Sequence, residues 1–277
     1  MTWWCGVVRL EDVRAFVFDI DGTLVHRAGP EEVHAIPGAR DVLDRIVASG
    51  RPFAVFTNGS HVPPDAFARQ LRAAGLPVED GQVLTPLCSV QSYLERFRGG
   101  AHVLPFASES AQRYLREAGV DLVDGRNGTH VDAVFVAHAD RVDFEQLERA
   151  ARAVIAGARL LTGSYVPVYA GADGPILSRG AMITAAIAKA SGARPVVVGK
   201  PSQAAVRVMR RQLGVRSEEI AMVGDDVRLD VALGRLGRST TVLVRSGISA
   251  DLDLDRVPET QRPDLTVGTV AELLEWL

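Results

Sequence analysis

Short apolar runs along this chain alternate with segments whose apolar positions recur every three or four residues. The runs 15–18, 52–56, 82–84, 103–105, 133–136, 159–161, 195–198, 220–223 and 241–244 have the length and composition of buried strands. Between them, 37–49, 65–74, 87–97, 108–118, 144–155, 181–191 and 203–213 read as helices. In the first of these helices, Val42, Leu43, Ile46 and Val47 share one face, with Pro37 near the start and Gly50 at the stop. Strands alternating with helices predict an α/β fold, a parallel sheet wound on both faces. The pattern restarts after Arg98-Gly99-Gly100, and Tyr169–Pro175 is rich in turn residues. A smaller α/β unit over 98–176 is therefore expected, inserted as a cap into a discontinuous core formed by 1–97 and 177–277.

Composition adds little to this picture and excludes several classes. The chain has 277 residues, 47% hydrophobic and 23% charged, with a formal net charge of -3. That balance leaves no electrostatic footprint for nucleic acid or for an anionic membrane surface. Two cysteines, Cys5 and Cys88, make no disulfide framework and fit a reducing compartment. No apolar stretch approaches the roughly 20 residues that span a bilayer. The opening Met1-Thr2-Trp3-Trp4-Cys5 lacks the basic and apolar regions of a signal peptide, so a cytoplasmic protein is expected.

The chemistry concentrates at strand ends. The run 15–18 feeds Asp19-Ile20-Asp21-Gly22-Thr23, two carboxylates at the carboxyl edge of a strand, where open α/β sheets place their ligands. An extended backbone through Ile20 would point both side chains the same way. Like charges that close are costly unless a cation lies between them or one is protonated. The second strand ends in Thr57-Asn58-Gly59-Ser60, whose hydroxyl, amide and backbone groups can donate to phosphate. Only Lys189 and Lys200 are lysines among 31 basic residues, and Lys200 follows the run 195–198 in Gly199-Lys200-Pro201-Ser202. A compact point charge suits a tight phosphate pocket better than the wide guanidinium fork. A fourth strand feeds Gly224-Asp225-Asp226 and Asp230.

In order and spacing these four motifs resemble the haloacid dehalogenase superfamily of phosphatases. The closer resemblance is to its NagD-like branch, which includes phosphoglycolate, pyridoxal phosphate and p-nitrophenyl phosphatases. It runs over nearly the whole chain, cap included. The resemblance implies Asp19 as the nucleophile that forms an aspartyl-phosphate and Asp21 as the acid and base at the leaving oxygen and at water. It implies Mg²⁺ held by Asp19, the Asp21 carbonyl and Asp225, phosphate oxygens held by Thr57, Asn58 and Lys200, and Asp226 and Asp230 behind them. The implied substrate is a small phosphorylated metabolite of the sugar, polyol or glycolate phosphate type, and a homodimer through the cap is compatible with it. Transfer of the phosphoryl group to another hydroxyl, as in a phosphotransferase or mutase, and a non-catalytic phosphate-binding protein are the alternative readings.

The chain departs from that branch at two places. Gly59 replaces the second asparagine of its Thr-Asn-Asn-Ser motif, and Leu161–Pro167 stands where an acidic cap stretch is common. His138, Asp140 and Tyr165 are the candidate substrate contacts in the cap. Tyr165 in place of acidic character favours neutral polyol or sugar phosphates over amine-bearing substrates.

Overall fold

The computed structural model describes residues 10–29, 32–171 and 174–277. The opening Met1–Cys5 and the pair Ala172-Asp173 of the turn-rich segment lie outside the described residues. Contacts divide the chain into two compact units. One takes segments 1–56, 70–82 and 209–277, and the other takes 57–69 and 83–208. Among the described residues, no helix is long and apolar enough to cross a membrane.

In the first unit, five parallel strands run in the order Leu265–Val267, Thr240–Val244, Ile220–Gly224, Ala15–Phe18 and Phe53–Phe56. Ala15–Phe18, Phe53–Phe56 and Ile220–Gly224 are buried at every position, which is why they read as unbroken apolar runs. The chain leaves Ala15–Phe18 toward Phe53–Phe56 on one side, while Ile220–Gly224 pairs on the other, so the winding reverses at the central strand. A crevice at the carboxyl ends of the strands is the geometric consequence of such a reversal. Helix Ala39–Ala48 buries Ala39, Val42, Leu43 and Ile46. Its entry is fixed by Gly38 at φ 81°, where a Cβ would run into Ala271.

The second unit has its own parallel sheet, ordered Val196–Val197, Arg159–Thr162, Ala133–Val136, His102–Phe106 and Asp121–Leu122. Both faces are covered. Val103, Phe135 and Leu161 pack with Leu87, Val90 and Leu115, whereas Phe106, Val134 and Val136 pack with Val154, Ile183 and Ile187. Phe135 is wholly buried, so Phe135→Ala would cost about 3–5 kcal/mol.

Two elements differ from the sequence reading. The strand at 195–198 was expected to resume the first sheet, but Val196 and Val197 pair with Leu161 and Thr162 of the second. A short apolar run carries no information about which sheet it joins. The stretch Tyr169–Pro175, expected as the turn-rich return crossing, takes part in an antiparallel pair that the pattern did not suggest, Val168–Gly171 with Gly174–Leu177, Tyr169 standing opposite Ile176. Its glycines and proline hide the strand pattern.

Candidate active site

Asp19 follows the central strand directly, and its N–H donates to the Val223 carbonyl of the neighbouring strand at 2.9 Å. That bond aligns the ends of the two strands, and Asp225 comes two residues after Val223. Oxygens of Asp19, Asp225 and Asp230 lie within 4.8 Å of one another, all three residues being buried. Three buried carboxylates this close repel strongly, so the arrangement calls for a cation or a proton.

Local sequence builds this cluster. Gly224, the last residue of its strand, has to be a glycine because a Cβ there would collide with the Asp230 carboxylate. Gly247 is needed for the same reason against Asp225, whose Oδ2 accepts from the Ile248 N–H at 2.7 Å. Ser246 Oγ donates to the Gly22 carbonyl at 2.7 Å, tying the loop after Thr240–Val244 to the Asp-Gly turn. The Asp226 side chain accepts from the Arg228 N–H at 2.7 Å and opens the π-helical turn Val227–Val231. Within that turn Asp230 Oδ2 accepts from the Asp226 N–H at 3.0 Å. Burial, with the Asp230 charge as a smaller cause, pushes the Asp226 carboxyl above its usual range.

The Asp21 carboxylate is not among the oxygens gathered in that cluster. The strand ends at Phe18, so the extended backbone through Ile20 that would have aligned both carboxylates is not kept. The Asp21 side chain is 47% exposed and its Oδ1 lies 2.6 Å from Arg27 Nε, on the antiparallel pair Val25–Arg27 with Val33–Ala35.

The second unit holds the other candidates. Thr57 is buried, and its Oγ1 accepts from the Gly59 N–H at 3.0 Å. Asn58 Oδ1 accepts from the Lys200 N–H at 2.7 Å, and Asn58 Nδ2 donates to the Lys200 carbonyl at 2.9 Å. The Asn58 amide thus clamps the backbone that carries Lys200, itself buried to 2% exposure. Gly199 fits beneath this clamp because a Cβ there would strike the Gly163 carbonyl. His138 Nε2 is 3.5 Å from Asp140 Oδ1, which also meets Arg179 at 3.4 Å, and Tyr165 is 41% exposed.

Sequence reasoning passed over His61, Arg27 and Gly247. His61 lies edge-on to Phe67 at 5.2 Å and to His138 at 5.9 Å. Its position one residue past Thr57–Ser60 was the available signal, as was the Ser246-Gly247 pair at a strand end for Asp225.

Residues 16–121 match the family described as haloacid dehalogenase-like hydrolase, and 197–273 match a second described as HAD-hydrolase-like. Ribonucleotide monophosphatase NagD of Escherichia coli (strain K12) is 30% identical over 94% of this chain and 98% of that protein. The chain belongs to the haloacid dehalogenase-like hydrolases. Among these hydrolases it is also 28% identical to the dihydroxyacetone phosphatase of Corynebacterium glutamicum (strain R), over 94% of this chain and 90% of that protein. The solved structure of p-nitrophenyl phosphatase from Archaeoglobus fulgidus superimposes with a TM-score of 0.84 at 28% identity, covering 96% of this chain and 100% of that one. The chain is a NagD-like haloacid dehalogenase phosphatase, and its fold is the doubly wound α/β fold of that branch.

Proposed function

We propose that the protein is a Mg²⁺-dependent phosphatase that hydrolyses a small phosphorylated metabolite through an aspartyl-phosphate on Asp19. The observation that carries this reading is the buried trio formed by Asp19 and Asp225, at the ends of adjacent strands, with Asp230 of the turn Val227–Val231. An all-oxygen, acidic donor set suits a hard divalent cation. Asp19, the Asp21 carbonyl and Asp225 would hold it, and Asp230 is close enough to take part. When bound, the ion neutralises the negative charge that separates an anionic nucleophile from an anionic phosphate.

The chain's own groups then have separable tasks. Asp19 attacks phosphorus, the ester bond to the leaving oxygen breaks, and water later cleaves the acyl phosphate to return the carboxylate and inorganic phosphate. Asp21 gives the leaving oxygen its proton and takes one from that water. Lys200 and Thr57 would hold phosphate oxygens, where charge accumulates in the transition state. Asn58 would serve by fixing the Lys200 backbone, a role its two hydrogen bonds support.

Residues 98–176 would act as a cap that reads the rest of the substrate, with His138 and Tyr165 as contacts. The names of the relatives, a dihydroxyacetone phosphatase and an acid sugar phosphatase of Staphylococcus aureus among them, support a compact sugar or polyol phosphate. The test is release of phosphate from p-nitrophenyl phosphate and from a panel of phosphorylated metabolites, with Mg²⁺ and with EDTA. Turnover that survives EDTA would overturn the metal-dependent reading. Tyr165→Ala and His138→Ala should lower turnover of the best metabolite and spare the aryl ester. A polyol acceptor that captured the phosphoryl group in place of water would mark a phosphotransferase.

A further inference from the structure

The second unit carries a cleft of about 520 Å³ at the end of its sheet where the strands begin, opposite the end that Thr162 and Gly163 occupy. Its walls combine two chemistries. Phe97, Val131 and Ala153 supply apolar surface, and Arg149, Arg152 and Arg159 supply guanidinium groups. Arg149 and Arg152 are three apart on helix Phe144–Ile155 and so share a face, while Arg159 opens the strand Arg159–Thr162. A Cβ at Gly128 or Gly157 would meet nothing within 4 Å, so the glycine turns leave the mouth wide.

The guanidiniums are unevenly answered by the protein. Arg152 is paired to Glu148 at 2.5 Å, but Arg149 reaches Glu145 only at 3.7 Å. The Nε–H of Arg149 is buried with no acceptor among the described residues. A buried donor without an acceptor is costly, and turning this side chain toward an oxyanion in the cleft would relieve it. The one carboxylate of the lining, Asp132, is held by the His102 N–H at 2.8 Å and by the His102 and His130 imidazoles at 3.2 and 3.0 Å. The backbone bond above all keeps Asp132 below the usual carboxylate range.

We propose that this cleft is a second anion-binding site, which takes a compact organic polyanion: its carboxylate or phosphate oxygens meet the three arginines and its body lies on Phe97, Val131 and Ala153. Guanidinium groups bind such oxygens through paired, charge-assisted hydrogen bonds, and the volume falls in the range of small-molecule sites. The site is independent of the catalytic reading above.

Calorimetric titration of the full chain in metal-free, low-salt buffer tests it, with citrate and inorganic phosphate as separate probes. Citrate should bind one site in the wild type, at least about tenfold more weakly in Arg149→Gln/Arg159→Gln. Phosphate should show two sites in the wild type and one in that variant if the cleft accepts phosphate oxygens. Loss of either probe's cleft site supports the proposal and tells carboxylate from phosphate chemistry. Identical titrations of wild type and variant with both probes overturn it, as does a wild type that ignores citrate and binds a single phosphate that the variant retains. Should the double variant fail to fold, Arg159→Glu, at an exposed position, must weaken the binding severalfold by itself. Hydrolysis of p-nitrophenyl phosphate by Arg149→Gln/Arg159→Gln should stay within about twofold of wild type. Binding is read without turnover, so an inactive wild type would count against the catalytic reading and leave this one standing.

Discussion

Arg27 Nε lies 2.6 Å from Asp21 Oδ1, so the residue proposed as acid and base is held by a guanidinium on the adjoining two-stranded ribbon. The pair is partly exposed, and such pairs contribute about 0–1 kcal/mol to stability. Its consequence is orientation. Arg27→Ala should leave the unfolding midpoint nearly unchanged and lower kcat about three- to tenfold on an alkyl phosphate, whose alkoxide needs a proton. p-Nitrophenyl phosphate, with a leaving group that departs unprotonated, should lose less in its first step. Equal kcat losses on the two esters would remove the positioning role.

Asp19→Asn keeps the shape of the side chain and removes its charge and nucleophilicity. Turnover should fall by several orders of magnitude, as when a covalent step is deleted, while the circular dichroism spectrum is retained. Mass spectrometry after rapid acid quench of the wild type should find about 80 Da added on the peptide that carries Asp19 and nothing on the variant's. Activity of the variant within tenfold of wild type would rule out the covalent route.

Much of the fold was legible because buried parallel strands are unbroken apolar runs and the helices between them carry one apolar face. Ala133–Val136, Phe144–Ile155 and Gln203–Leu213 occur at the predicted residues. Pairing partners were not legible. Val196–Val197 looks like any short buried strand, and its attachment to Arg159–Thr162 depends on contacts distant in sequence. The motifs singled out Asp19, Asp225 and Lys200, because charged residues just past apolar runs are conspicuous. They did not reveal that the Asn58 amide faces the Lys200 backbone, or that Asp230 stands with Asp19 and Asp225, since a turn folds those groups back.

Gly247 allows a separate test of the aspartate trio. Any Cβ at this position would overlap the Asp225 carboxylate, so Gly247→Ala must displace Asp225 or its own loop. The variant should need about tenfold or more Mg²⁺ for half-maximal activity, with Asp225→Ala more severe still. Ca²⁺ should inhibit the wild type, because it takes more ligands at longer distances than Mg²⁺. A Gly247→Ala enzyme with an unchanged Mg²⁺ titration would show that Asp225 does not hold the ion.

Acid stability should carry the mark of Glu219. Its carboxylate accepts from the Arg216 Nε at 3.2 Å, from the Arg216 N–H at 2.9 Å and from Arg14 at 3.2 Å. The Arg216 side chain, followed by its N–H, lowers the Glu219 pKa from 4.5 to about 2. The folded state therefore releases this proton more readily than the unfolded one. The stabilisation is fully present above pH 4.5 and is lost as pH falls toward 2. Urea unfolding of Glu219→Gln should show lower stability than wild type at pH 7 and a difference that shrinks as pH falls from 4.5 through about 2. A gap that stays constant across that window would mean the residue acts through packing alone.

The Asn58 clamp makes the sharpest distinction between holding phosphate and holding the residue that holds phosphate. Asn58→Asp retains an acceptor for the Lys200 N–H but loses the donor to the Lys200 carbonyl, and sets a carboxylate oxygen against that carbonyl. Repulsion should tilt the Gly199-Lys200 backbone and misplace a buried ammonium. Asn58→Ala removes both hydrogen bonds to the Lys200 backbone, a loss of about 0.5–1.5 kcal/mol in stability for each. If Asn58 works through Lys200, Lys200→Ala combined with Asn58→Ala should lower kcat/KM little further than Lys200→Ala alone, because the second change removes support for a side chain already gone. If the Asn58 amide instead bound phosphate on its own account, the two losses would add. A double-mutant cycle on p-nitrophenyl phosphate, with thermal unfolding of each variant to confirm a folded chain, decides between the two.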